Sequence, residues 1–150
     1  MSAKILIIDD EPDMLIMLEM IITDKTPHQV VTTTNPLELP ELLAQENFNL
    51  VITDLKMPAM DGIEVIDTVK NHDPEIPVVV ITAFGTLESA EEAVHRGAYD
   101  FITKPFRKEQ ILVAIERALE WQRITRENRE LRDRMQSEKT AAKTFRSPGD

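Results

Sequence analysis

Cysteine is absent from all 150 residues, and aromatic side chains are few: one Trp, one Tyr and five Phe. A chain without thiols has no disulfide framework and no thiolate metal site, which fits a cytoplasmic protein. With only 4 glycines, there is no glycine-rich phosphate loop after the first apolar run, so a nucleotide-binding domain of that kind is disfavoured. No apolar run is long enough to span a membrane. The start Met1-Ser2-Ala3-Lys4 leads into a short strand rather than a signal-peptide core, so no membrane association is expected. Positive charge is scarce over most of the chain: residues 1–106 hold 6 Lys/Arg against 19 Asp/Glu, and residues 107–150 hold 11 against 8. An acidic body cannot wrap nucleic acid, and the basic tail interleaves its arginines with acids, as a solvated helix does. No direct nucleic-acid contact by this chain is expected.

Apolar, β-branched runs recur between helical patterns. Lys4–Ile8 reads as a strand, and Pro12 then opens a helix to about Asp24 with Leu15, Leu18 and Ile22 on its core face. Gln29–Thr33 is a second strand, followed by a short helix that Pro40 should kink or delay. Leu50–Thr53 is the third strand, and a helix follows from Gly62 to about His72. Pro77–Ala83 reads as a strand buried on both faces. Leu87–Arg96 is the fourth helix, closed by Gly97. Tyr99–Lys104 is the fifth strand, and the chain is helical from Arg107. Alternation of this kind predicts an α/β fold: a doubly wound, five-stranded parallel sheet, flavodoxin-like with strand order 2-1-3-4-5, and an extended C-terminal helix.

Three strand ends carry polar groups that a core would not accept: Asp9 and Asp10 after strand one, Asp54 after strand three, Lys104 after strand five. Thr82 closes strand four. Each has an ordinary structural reading as a cap, a strand threonine or a snorkelling lysine. On one rim, however, three carboxylates repel each other and one lysine does not neutralise them, so the site calls for a cation. Oxygen-only ligands with room for water suit Mg²⁺, which can bridge to a phosphoryl group while an aspartate oxygen attacks.

These residues, with Asp54-Leu55-Lys56-Met57-Pro58-Ala59-Met60-Asp61-Gly62, Thr82-Ala83 and Gly97 through Phe106, resemble the receiver domain of two-component response regulators. The resemblance covers residues 4 to about 120. It implies that Asp54 is the phosphoacceptor, served by a histidine kinase or phosphotransfer protein. It further implies Mg²⁺ bound by Asp10 directly, by Asp9 through water, by Asp54 and by the carbonyl of Lys56. Lys104, ahead of a cis bond to Pro105, would pair with the phosphoryl group, and Thr82 would swing onto it while Phe101 turns inward. That repacks the face made by helix four, strand five and helix five. Lys56 and Phe84 sit where the lifetime of the phosphoryl state is tuned. The chain would catalyse only its own phosphorylation and dephosphorylation. A hydrolase using an aspartyl phosphate is disfavoured, because its second acid lies two residues beyond the nucleophile. A receiver-shaped scaffold that is never phosphorylated remains an alternative.

Three regions are expected: a receiver over 1–120, a helical extension over 121–136 and a disordered tail over 137–150. In the extension Trp121, Ile124, Asn128, Leu131 and Met135 recur with heptad spacing. One reading is a short parallel coiled coil in a homodimer, with Glu127 meeting Arg132 of the other chain. The other is an amphipathic helix packed on its own body. The extension also resembles the linker of activators that work with the nitrogen-type sigma factor, which implies transcription control through a further effector domain. A single-domain regulator acting by protein contact is the alternative.

Overall fold

The protein is described here by a computed structural model covering residues 2–145, with side chains through residue 140. Five strands, β1 (Lys4–Ile8), β2 (Gln29–Thr33), β3 (Leu50–Thr53), β4 (Val78–Thr82) and β5 (Asp100–Thr103), form one parallel sheet in the order 2-1-3-4-5. Helices α1 (Pro12–Lys25), α2 (Leu39–Gln45), α3 (Gly62–His72), α4 (Leu87–His95) and α5 (Lys108–Phe145) alternate with them.

Side chains alternate across each strand, so the sheet builds two cores. Leu6, Ile8, Val51, Val78 and Val80 face α2, α3 and α4. Ile5, Ile7, Leu50, Ile52, Val79 and Ile81 face α1 and α5. Covering both faces explains why β3 and β4 read as unbroken apolar runs. Pro40 acts as expected, since a 3₁₀ turn at Pro36–Glu38 comes first and α2 starts only at Leu39. Gly97 follows α4 with φ +110°, a conformation that costs glycine little and other residues much.

The expected tail over 137–150 begins inside the last helix. Helix α5 continues to Phe145. The stretch Ser137–Phe145 contains neither glycine nor proline, so nothing within it stops the helix. Residues 146–150 lie outside the described residues.

Helix α3 starts at the loop that bears Asp54. Asp61 is its N-cap, with a carboxylate oxygen accepting from the Glu64 amide at 2.9 Å. Removing this acceptor in Asp61→Ala should lower stability by about 1 kcal/mol, read as an earlier urea midpoint with an unchanged slope.

Candidate functional site

Register decides where the chemistry lies. Ile8 of β1 pairs with Thr53 of β3, so the next residues, Asp9 and Asp54, leave the sheet side by side. Thr82 of β4 pairs with Thr103 of β5, which places Lys104 one step beyond Thr82. All four groups therefore collect at the carboxyl edge, next to the point where the chain winds in opposite directions from β1 and β3.

Asp9 and Asp54 are almost fully buried, at 3% and 4% exposure. Lys104 Nζ donates to Asp9 Oδ2 at 3.2 Å and to Asp54 Oδ2 at 3.3 Å. The other oxygen of Asp54, Oδ1, accepts from the Leu55 amide at 2.6 Å, which fixes the carboxylate's rotation. Asp9 Oδ1 accepts from the Glu11 amide at 2.9 Å. That bond folds the chain back at Asp10 and brings the Glu11 carboxylate to the site. Asp9, Glu11 and Asp54 each offer an oxygen within 4.8 Å of the others. Asp10 is exposed and is not among these three. Glu11 was visible in the run Asp9-Asp10-Glu11, but nothing in the sequence tells which acid the turn brings back.

The electrostatics are those of a site short of positive charge. Burial raises the Asp9 carboxyl above the usual range; the nearby Asp54 charge adds to this, while the Glu11 amide and Lys104 oppose it. Burial would lower Lys104, yet the charges and hydrogen bonds of Asp9 and Asp54 hold it above its ordinary value. One ammonium faces two carboxylates and stays protonated. The surplus negative charge then falls on the acids. An all-oxygen cluster with surplus negative charge fits a hard divalent cation such as Mg²⁺.

Thr82 is fully buried, and its hydroxyl accepts from the Phe84 amide at 3.1 Å. Phe101 is half-buried against the core on the α4 side. Gly85 runs close to the Thr103 and Phe101 side chains, so a Cβ there would force the Thr103 side chain to shift. Phe84 and the Lys56 side chain are exposed. The Lys104–Pro105 peptide bond is cis.

The extension packs on its own body, as one of the two readings has it, but through Trp121 and the arginines Arg126 and Arg129 rather than through its whole apolar stripe. Trp121 lies against its own body, 5.9 Å from the Tyr99 ring, with Lys70 Nζ 5.3 Å from its centroid. Ile124, Leu131 and Met135 remain exposed. Glu127 already pairs with Arg123 on the same helix at 3.0 Å. Among the described residues, no helix is long and apolar enough to cross a membrane.

Residues 5–116 match the family model described as the response regulator receiver domain. The chain is 40% identical over 134 residues to the nitrogen assimilation regulatory protein NtrX of Azorhizobium caulinodans, covering 88% of this chain and 29% of that protein. It is 34% identical over 119 residues to the sporulation initiation phosphotransferase F of Bacillus subtilis, covering 79% of this chain and 95% of that one. The crystal structure of NtrX from Brucella abortus superposes with a TM-score of 0.81 at 36% identity, over 89% of this chain and 31% of that one. The chain thus spans less than a third of the length of the NtrX proteins it matches.

Proposed function

Because the chain belongs to the response regulator receiver family, a family of signalling domains, we propose that it accepts a phosphoryl group on Asp54 from a phosphohistidine. The observation that carries this reading is the buried Asp54 carboxylate, held through Oδ1 by the Leu55 amide and facing Lys104 through Oδ2. Oδ2 attacks phosphorus, the new P–O bond forms as the P–N bond breaks, and the donor histidine leaves with the electron pair. Lys104 offsets charge on the phosphoryl oxygens, and its ammonium is already in place.

Asp9, Asp54 and either Glu11 or Asp10, with the Lys56 carbonyl, are the groups that would hold Mg²⁺. The ion supplies charge neutralisation of the transferring group. Thr82 turns its hydroxyl from the Phe84 amide onto a phosphoryl oxygen. The volume it vacates is taken by Phe101, since a close-packed interior does not keep a gap. The charge event at Asp54 thereby repacks the face of α4, β5 and α5. Phe84 and Lys56, exposed beside the acceptor, set access of water and so the lifetime of the phosphoryl state.

Output passes through a second copy, which engages the α4–β5–α5 face or the exposed stripe Ile124, Leu131 and Met135. An effector that controls transcription is then the receiver of the signal, a reading supported by relatives such as the C4-dicarboxylate transport transcriptional regulatory protein DctD, of which this chain spans 28%.

Intact mass after incubation with acetyl phosphate tests the reading. One phosphoryl group gained only with Mg²⁺ is the expected result, with light scattering following any change in molar mass. No gain under any condition would leave a receiver-shaped scaffold instead. Lys104→Ala keeps the acceptor and loses the ammonium. It should gain the phosphoryl group more slowly, by about tenfold or more, and show no phosphorylation-dependent change in amide exchange over residues 82–103. A normal exchange response in this variant would remove Lys104 from the switch.

A further inference from the structure

At the amino edge of the sheet, opposite Asp54, the turn between α3 and β4 holds a buried acid that the phosphoryl chemistry does not use. Glu75 is only 6% exposed. Its carboxylate meets Arg126 Nε at 3.4 Å and Arg129 Nη1 at 3.3 Å, while Asp73 Oδ2 accepts from Arg126 Nη2 at 2.9 Å. The turn itself is braced: Asp73 Oδ1 accepts from the Glu75 amide at 3.0 Å, and Lys70 Nζ donates to the Ile76 carbonyl at 2.9 Å. Lys70 in turn lies over the Trp121 ring, and burial lowers its pKa despite Asp73 nearby.

Helix geometry shows what this does. At about 100° per residue, Arg126 and Arg129 continue the stripe of Ile111, Ile115, Ala118 and Gln122, which is the face buried on the body. Ile124, Leu131 and Met135 point about 180° away. The body therefore grips the polar side of the extension and leaves its apolar side outward. A carboxylate buried in a turn is costly unless paired, so the turn and the helix need each other.

We propose that the Asp73–Ile76 turn is a latch that seats the Arg126 and Arg129 face of α5 and so fixes the direction in which the helix leaves the receiver. The latch does not depend on Asp54 accepting a phosphoryl group. A helix held by one face through Arg129 cannot rotate about its axis, so its apolar stripe is presented at one fixed angle to the sheet.

Hydrogen exchange on the full chain tests this. In Arg126→Gln with Arg129→Gln, amides of residues 124–133 should exchange about tenfold faster or more, while β1 and β3 keep their protection. Asp73→Asn with Glu75→Gln removes both acids while the side-chain oxygen left at position 73 keeps the acceptor for the amide of residue 75. It breaks the latch from the other side and should give the same local pattern, which keeps the test open should the arginine variant unfold. Combining all four changes should add little, because both variants remove the same ion pairs. A change below about threefold in both variants would overturn the proposal. So would a loss of protection spread equally over β1, β3 and α5, since the ion pairs would then only stabilise the body as a whole.

Discussion

Asp54→Asn is expected to end phosphorylation and, in the absence of divalent cations, to melt at a higher temperature than the unsubstituted protein. The amide keeps the shape of the side chain and its acceptor for the Leu55 amide, so the 2.6 Å contact survives. What is lost is one of two buried carboxylates facing a single ammonium. Asp9 and Lys104 then balance, and the Asp54 contribution to the raised Asp9 carboxyl disappears. Removing an uncompensated charge from a functional site at this scale stabilises by about 1 kcal/mol, or ~3 °C in melting midpoint for a chain of this length. Added Mg²⁺ should reverse the order, because it binds and stabilises the form with both carboxylates. Intact mass and two melting curves per protein, with and without Mg²⁺, decide the matter. A variant that still gains a phosphoryl group would move the acceptor elsewhere. Equal or lower midpoints without cation would show that the acids at this edge do not repel as their placement implies.

The same placement explains why so much of the site can be read in the sequence. Parallel strands deliver their carboxyl ends to one edge, so Asp9, Asp54 and Lys104 need only follow β1, β3 and β5, and Thr82 need only close β4. Glu11 could not be found this way. It reaches the site through a turn made by one side-chain bond, from Asp9 to its own amide, and no periodicity records such a bond. The extension shows a second limit. Apolar spacing picks out Trp121, Ile124, Leu131 and Met135, and hence a face for packing, but the body is bound by Arg126 and Arg129 on the other side. Ion pairs to a turn fifty residues earlier leave no repeat to detect. Trp121 alone serves both patterns, lying between the two faces against Tyr99 and Lys70.

Gly62→Ala should damage both the fold and the chemistry, although the position is helical and alanine is the better helix former. Gly62 is the first residue of α3, and its amide donates to the Leu55 carbonyl at 2.8 Å, closing the loop that begins at Asp54. A Cβ added there would lie 2.6 Å from the Asp54 carbonyl oxygen and 2.8 Å from the Leu55 Cα. Both are backbone atoms, so no flexible side chain can give way. The gain in helix propensity is about 1 kcal/mol at most, and near a helix end it is smaller. Forcing backbone apart in a packed region costs about 1–3 kcal/mol, so the net change is a loss of stability. The displaced atoms belong to Asp54 and to the residue whose amide fixes its Oδ1, so the acceptor itself shifts. Misplacing a reacting group by a fraction of an ångström to an ångström slows transfer by about tenfold to a hundredfold. Initial rates of phosphoryl gain at saturating Mg²⁺ measure this, with Asp61→Ala as the control that weakens the same helix end without adding an atom against the Asp54 and Leu55 backbone. If Gly62→Ala loses stability but phosphorylates at the rate of Asp61→Ala, the close approach of α3 serves the fold alone, and the orientation of Asp54 is set by the Leu55 amide without help from the loop that follows it.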